Sequence, residues 1–408
     1  MSKLQELIQR LCPDGVEYKK LGEICIFKRG DVLSSKDAVE GDVPVMAGGQ
    51  KPSCYHNVPN RKGETIVVAG SGAYAGFVTY WNIPVFVSDA FSVHPIDGLL
   101  PKYVFHYLKN NQAKIYATKK GAGVPHVHGK DIAKFLIPVP PLEVQEEIVR
   151  ILDRFDVYAA ELQAELQARK EQYEYYRNLL LTFNPAGCAG EADDEQEGSV
   201  TTRGGHSYPI QWKKMGDVGT FIRGNGLQKK DFTESGVGCI HYGQIYTYYG
   251  TFATETKSFV SEEFAKKLRK AQTGDLVIAT TSENVEDVGK AVVWLGKDEI
   301  AISGDAYVYK HNQNPRYIAY LLQTDRFLAF KRMNVSGTKV TRISGDSLAK
   351  YPIPIPPLEL QEKIVAILDR FETLVNDLSE GLPAEIAAVK EQYEYYRNRL
   401  LTFKEKTA

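Results

Sequence analysis

Two stretches of the chain carry apolar residues at alternating spacings of four and three. The first runs Ile148, Leu152, Phe155, Ala159, Leu162, Leu166, Arg169, Tyr173, Tyr176 and Leu180, with Arg169 its one charged member. The second runs Ile364, Leu368, Phe371, Val375, Leu378, Leu382, Ile386, Val389, Tyr393, Tyr396, Leu400 and Phe403. A sustained period near 3.5 residues predicts long helices packed along a coiled-coil seam. Each would span roughly 36 residues, or about 54 Å. Pro140-Pro141 and Pro356-Pro357 mark where each helix begins. The second stripe contains two consecutive spacings of four, an insertion that unwinds a heptad seam locally. Gly381 and Pro383 lie beside it, so a kink or short break is expected there.

Elsewhere the pattern is short and mixed. Apolar runs at Thr65–Ala69, Val85–Val87, Leu276–Ala279, Ala291–Trp294 and Ala306–Tyr309 read as strands, and Tyr103–Lys109 and Tyr317–Gln323 as helices. Leu4, Leu7, Ile8 and Leu11 suggest a short amphipathic helix at the start. Residues 184–211 are acidic, glycine-rich and poor in apolar side chains, and read as a flexible linker. The resulting plan is a body over 1–139, a helix over 140–183, the linker over 184–211, a second body over 212–355 and a second helix over 356–408.

The plan is written twice. PPLEVQEEIVRILDRFD (140–156) returns as PPLELQEKIVAILDRFE (356–372), and KEQYEYYRNLLLTF (170–183) as KEQYEYYRNRLLTF (390–403), with 13 of these last 14 positions identical. The bodies open alike, YKKLGEICIFKRG (18–30) against WKKMGDVGTFIRG (212–224), and then diverge. Beyond that, GETIVVAG pairs only loosely with GDLVIATT, and VSDAFSV with SGDAYVY. Each half is therefore a variable body followed by a near-invariant tail. The bodies should share a fold and read different ligands; the tails should do one mechanical job twice. The fold class is α+β: two tandem mixed α/β bodies separated by two long antiparallel coiled-coil helices, related by a pseudo-twofold. The alternative is that each tail packs on its own body.

Charge sharpens the picture. The net charge is −1, which looks wrong for a polyanion binder. Yet residues 18–139 hold 15 Lys/Arg against 9 Asp/Glu, and 212–355 hold 20 against 15. The connecting segments are acidic, so two basic bodies are joined by acidic connectors. Five cysteines stand without any CxxC pair, which argues against a zinc site or a disulfide framework and fits a reducing cytosol. No apolar run is long enough to cross a bilayer, and no signal peptide is evident, so the expected location is the cytoplasm without membrane contact.

Candidate chemistry is concentrated in loops. KKGAGVPHVHGK (119–130) and NVSGTKVTRISGD (334–346) combine glycines with cations. Lys119, Lys120, Lys130 and Lys339 are candidates for phosphate, beside Thr338, and Arg342 for a guanine edge. His126 and His128 align with Arg342 and Ser344, a pairing that suits a DNA-facing loop; inert surface and metal binding are the alternatives, and metal ligands at suitable spacing are lacking. In HYGQIYTYYG (241–250), Gln244 is a candidate for adenine and Tyr242 and Tyr246 for sugar and phosphate; the alternative is a strand with half-buried tyrosines. Gln50 and Lys51 are weaker candidates of the same kind. VAGSGAYAG (68–76) resembles a nucleotide-binding glycine loop, but its counterpart ATTSEN lacks the glycines and no amino-methyltransferase signature occurs anywhere. No catalytic constellation stands out.

The duplicated PPLxxQxxIVxILDRF followed by KEQYEYYRxxLLTF resembles the specificity subunit of type I restriction–modification enzymes, over nearly the full length. The resemblance implies two target-recognition domains that each read half of a split site in double-stranded DNA. It implies helical spacers that also dock two methyltransferase subunits, with restriction subunits completing the complex. It implies no cofactor on this chain: S-adenosylmethionine belongs to the methyltransferase partners, and ATP with Mg to the restriction subunits. A standalone methyltransferase and a coiled-coil protein scaffold are the alternatives. Residues 160–167, AELQAELQ, form a tandem four-residue unit within the first spacer. Four helical residues add about 6 Å and a net rotation of about 40°, and one base pair adds about 3.4 Å and about 35°. One AELQ unit should therefore correspond to about one base pair between the half-sites. SEGLPAEI in the second tail departs from this simple repeat.

Overall fold

Both bodies open with a strand, a one-turn helix and a second strand, and both end in short helices and a strand that leads into a long helix. The computed structural model describes residues 3–183, 197–201 and 207–406, apart from 35, 37, 97, 122, 338, 378 and 379. Thr338, Leu378 and residues 184–196 and 202–206 of the expected linker therefore lie outside the described residues.

The chain divides into two compact units, Met1–Ala164 with Ala384–Ala408, and Glu165–Pro383. Each holds one body, the start of its own tail and the end of the other tail.

In the first unit, the strands Cys25–Arg29, Ala90–Pro95, Thr65–Ala69 and Val78–Trp81 form an antiparallel sheet in that order. A second sheet sets Val43–Met46 between Cys54–His56 and Phe86–Val87. Thr65–Ala69 is buried at every position, which explains why it reads as a continuous apolar run rather than an alternating one. The helix Pro101–Asn110 packs on the first sheet through Tyr103, Val104 and Leu108, all fully buried. The second unit repeats the sheet with Gly219–Arg223, Ala306–His311, Leu276–Ala279 and Ala291–Trp294, and adds Phe252–Ala253 at the edge. Its helix is Pro315–Leu321. Each body is closed by the strand that leads into its tail. Glu17–Lys20 pairs with Leu136–Val139, placing Tyr18 opposite Pro138, and Trp212 stands likewise opposite Pro354.

The described part of the expected linker is ordered. Glu197–Thr201 pairs antiparallel with Ser207–Lys214, which also pairs with Pro352–Ile355. Chain polarity hid this strand, because its backbone pairs at a sheet edge that needs no apolar side chains.

The first tail is one helix, Leu142–Leu181, of 40 residues. The second is two, Leu358–Asn376 and Leu382–Leu400. The break has a steric cause. A Cβ on Gly381 would lie 2.4 Å from the Thr373 carbonyl oxygen and 2.8 Å from that of Asp377, so only glycine lets the chain fold back this closely. Pro383 follows in the first turn of the new helix, where it costs no hydrogen bond.

The two packing alternatives each describe part of a tail. Val144, Ile148 and Leu152 are fully buried in the core of their own body. Beyond them the helix meets the other tail. Phe155 lies against Tyr393 and Tyr396, with ring centroids 5.9 and 5.7 Å apart. Tyr158 bonds Glu385 at 2.7 Å. The chain thus advances from 155 to 158 as its partner retreats from 393 to 385, an antiparallel pairing. The second unit repeats it: Phe371 packs on Tyr173 and Tyr176 at 6.4 and 5.6 Å. Leu162, Leu166, Ile364, Leu368 and Leu382 are buried, and Leu180 and Leu400 half-buried.

Candidate nucleic-acid interface

The loops at 119–130 and 334–346 are built by one set of hydrogen bonds. In the first body, Lys120 and His126 exchange backbone bonds of 2.9 and 2.8 Å, His126 bridges Ser71, and the Val127 N–H donates to the Gly70 carbonyl at 2.9 Å. In the second, Ser336 and Arg342 exchange bonds of 2.9 Å, Arg342 pairs with Thr281, and the Ile343 N–H donates to the Thr280 carbonyl at 3.0 Å. Val127 and Ile343 are buried anchors. Their neighbours His126 and Arg342 project to solvent. A positive-φ glycine opens each hairpin, Gly121 at 111° and Gly337 at 97°. At Gly337 an added Cβ would fall 2.1 Å from the Val340 carbonyl oxygen. His126 and Arg342 therefore occupy one structural position on one scaffold and differ only in side chain.

A carboxylate underpins each loop. The Ser71 hydroxyl donates to Asp89, and that of Thr281 to Asp305 at 3.3 Å. The backbone N–H groups of Gly70 and Thr280 donate to the carbonyls of those same aspartates at 3.1 and 2.9 Å. The sequence reading passed over Asp89 and Asp305, although VSDAFSV and SGDAYVY already aligned them.

In the first body the loop borders a cleft of 660 Å³ whose walls include Arg29, Asp89, His126, His128 and Lys130. The two histidine rings stack with centroids 6.4 Å apart. Lys130 is exposed. Lys120 pairs with Asp131 at 2.8 Å. Lys119 donates to the Ala73 carbonyl at 3.1 Å and lies over the Tyr116 ring. These two lysines are thus partly engaged within the body. Gln50 and Lys51 are exposed on the turn between Val43–Met46 and Cys54–His56. That turn abuts the same scaffold, since a Cβ on Gly48 would lie 2.5 Å from the Ser71 carbonyl oxygen. Lys339 is exposed beside Arg342 in the second body.

The segment 241–250 requires correction. It is neither a strand nor a free polar surface: Tyr242–Thr247 is a helix. Gln244 caps it, accepting from the His241 N–H at 2.9 Å and donating to Ser258 at 2.7 Å. Each polar end of the amide makes one bond within the body, which ties Gln244 to the helix start and leaves one N–H and one oxygen lone pair uncommitted. Tyr246 donates its hydroxyl to the Thr281 carbonyl at 2.8 Å, and Tyr242 packs on His241 with ring centroids 4.5 Å apart. Tyr246 thereby supports the Arg342 loop, since Thr281 is the strand partner of Arg342.

The glycine-rich 68–76 segment is likewise a turn. It joins the antiparallel strands Thr65–Ala69 and Val78–Trp81, and no helix N-terminus follows to receive a phosphate.

Where body and tails meet, each unit has a polar node. In the first, His106 is fully buried, 3.1 Å from Asp153 through Nε2 and 3.3 Å from the Tyr393 hydroxyl through Nδ1. Lys102 bonds Asp153 at 2.5 Å, and Tyr393 also reaches Asp156. In the second, the Tyr320 hydroxyl lies 2.7 Å from both Asp369 and Glu372, which share its one proton, and Arg316 pairs with Asp369. His106, Asp153 and Asp156 bring ligand-type atoms within 4.8 Å of one another. Lys102 and Tyr393 already occupy those carboxylates, and the matching node of the second unit uses a tyrosine and an arginine. The group is therefore better suited to joining helices than to holding a metal. Tail ends dock here too: Arg397 bonds Asn110, and Asn178 exchanges bonds with Asp325.

One loop scaffold carrying two different side chains, with duplicated tails docked on each body, defines a tandem two-domain specificity protein. The chain belongs to the type I restriction modification DNA specificity domain family, whose model matches residues 13–171 and 209–388. It is 28% identical to a putative type I restriction enzyme specificity subunit of Haemophilus influenzae, over 95% of this chain and 96% of that one. It is 30% identical to the EcoR124I/EcoR124II specificity subunit of Escherichia coli, over 65% of this chain and 61% of that one. In fold it is similar to the type I restriction–modification S subunit of M. genitalium, with a TM-score of 0.55 at 17% identity over 95% and 96% of the two chains. As a specificity subunit it is a recognition component rather than an enzyme. Among the described residues, no helix is long and apolar enough to cross a membrane.

Proposed function

We propose that this chain reads a bipartite duplex site with the 119–130 loop of its first body and the 334–346 loop of its second. Two methyltransferase subunits dock on its tails, and restriction subunits join the complex in the cytoplasm. S-adenosylmethionine acts on the methyltransferase partners, and ATP with Mg on the restriction subunits. The observation that carries the reading is the matched position of His126 and Arg342. A fixed scaffold with exchanged side chains is what two readers of different bases require, because base-edge contacts specify and backbone contacts position. A protein scaffold would give no reason for that exchange.

The test is sequencing of methylated sites in DNA from cells expressing the chain with its methyltransferase partner. The native chain should give a split motif. His126→Ala should relax one half of it and Arg342→Ala the other. A good bidentate contact discriminates by about 1–3 kcal/mol, so the relaxed half should accept other bases at about tenfold greater frequency. Variants that leave the motif unchanged, or that relax both halves together, would refute the assignment.

A further inference from the structure

We propose that Arg29 and Arg223 form a phosphate clamp common to both half-sites, so that each body divides its contacts between one shared residue and one variable residue. The proposal rests on the reading that the 119–130 and 334–346 loops face DNA.

The two arginines occupy one register. Arg29 stands opposite Phe91 in its antiparallel strand pair, and Arg223 opposite Tyr307 in the matching pair. Each is the last residue of its strand. The glycine that follows is required sterically: a Cβ on Gly30 or Gly224 would lie 2.1 Å from the carbonyl oxygen of Ser88 or Ser303. Close backbone contact therefore holds each arginine beside the aspartate that supports its loop, Asp89 or Asp305. In the first body Arg29 lines the same cleft as His126 and Lys130.

Neither guanidinium is used for folding in the way a structural arginine is. Both side chains are exposed, and neither forms an ion pair among the described residues. Arg223 makes one bond, from Nε to the Gly304 carbonyl at 3.2 Å, which leaves its terminal nitrogens facing out. Arg61 shows the contrast. It is 5% exposed and bonds Ser92 and the carbonyls of Asn60 and Arg29, so it is spent on fixing the strand end. The neighbouring acids do not compete for Arg29: Asp31 is held by Asn60 and Arg61, and Asp89 by Ser71.

The bodies diverge in sequence, yet an exposed arginine without a carboxylate partner recurs at one place in both. A contact shared by two half-sites of different sequence must be to what they have in common, the sugar–phosphate backbone. His126 and Arg342, which differ, are then left to the bases. The KRG and IRG endings of the two opening segments carried this signal in the sequence.

The experiment measures binding of the full chain, in complex with its methyltransferase partner, to a duplex carrying the methylated motif and to one lacking it, from 50 to 200 mM salt. Loss of one phosphate contact lowers the salt slope by about 0.9 and affinity by about eightfold at 0.1 M salt. Arg29→Gln should show this on both duplexes, leave their ratio unchanged and leave the methylated motif unaltered. Arg29→Lys should restore most of the slope, and Arg29→Gln with Arg223→Gln should double the slope loss to about 1.8 and lower affinity by about 60-fold at 0.1 M salt. An unchanged slope in Arg29→Gln, a failure of lysine to restore it, or a changed motif would overturn the clamp. His126→Ala serves as the separate arm. If it leaves the motif unchanged while Arg29→Gln behaves as stated, the base-reading assignment fails and the clamp stands.

Discussion

At the residue scale, equivalent positions were legible where the two halves were compared. Aligning His126 with Arg342 from sequence picked out a position that the structure builds identically in both bodies. Residue type alone missed the capping role of Gln244, because nothing in the local sequence reveals that its amide bonds Ser258 and the His241 N–H. The polar nodes illustrate the same contrast and carry a prediction. Burial lowers the His106 pKa below its ordinary value, against the opposing pull of Asp153 and Asp156, with Lys102 adding to the lowering. The unfolded chain therefore binds a proton at His106 more readily than the folded one. Folding stability contributed there is present above the ordinary histidine range and is lost as pH falls through and below about 6.5. Asp156, whose carboxyl is pushed up by burial, has the opposite sign and takes a proton more readily when folded. Replacing His106 by the tyrosine that the second unit uses at Tyr320 removes the first effect and leaves the second. His106→Tyr should fold and should flatten the fall in thermal stability between pH 7.5 and 5.5; a fall as steep as in the native chain would show that His106 is not its source.

At the element scale, the tails were the most legible part of the molecule, since a period of 3.5 residues is a direct record of which face is buried. What the stripe could not tell is what buries each part. Ile148 and Leu152 follow the same spacing as Phe155, yet they lie in a body core while Phe155 meets the opposite tail. The repeated KEQYEYYR motif has a matching explanation. Tyr173 and Tyr176 receive Phe371 as Tyr393 and Tyr396 receive Phe155. The end of each tail thus meets the same ring whichever body it serves, which accounts for near identity between segments whose bodies have drifted apart. Because Phe371 is half-buried, Phe371→Ala should cost about 2 kcal/mol, below the range for a fully buried phenylalanine. The loss should be local. Amide exchange should rise in 165–181 and 358–376 and stay unchanged in 43–95, with Phe155→Ala giving the reverse pattern. Equal effects in both units from either variant would contradict this description. The edge strand Glu197–Thr201 escaped the sequence reading for the opposite reason, since a short stretch without apolar alternation that pairs through its backbone leaves no periodic trace.

At the scale of the whole molecule, the decisive feature is where the two units divide. One boundary falls between Ala164 and Glu165, inside AELQAELQ, and the other between Pro383 and Ala384, just after the helix break. The repeat therefore lies at the division between the half-site readers, within an unbroken helix. Removing residues 160–163 puts Leu166 where Leu162 stood, so the buried stripe survives, displaced by about 40° and shortened by about 6 Å. The second tail has no repeat to shorten, but it is two helices, one ending at Asn376 and the other beginning at Leu382, and the joint between them can absorb the change. The half-sites should then move closer by about one base pair, with the bases in each half unaltered because neither loop is touched. Inserting one more AELQ unit should widen the gap by the same step. Sequencing of methylated sites reads both outcomes directly. A gap that stays fixed would refute the helix as the ruler. Loss of methylation in the deletion with a gap widened by one base pair in the insertion would place the limit in the second tail, which then could not follow the first when it shortens.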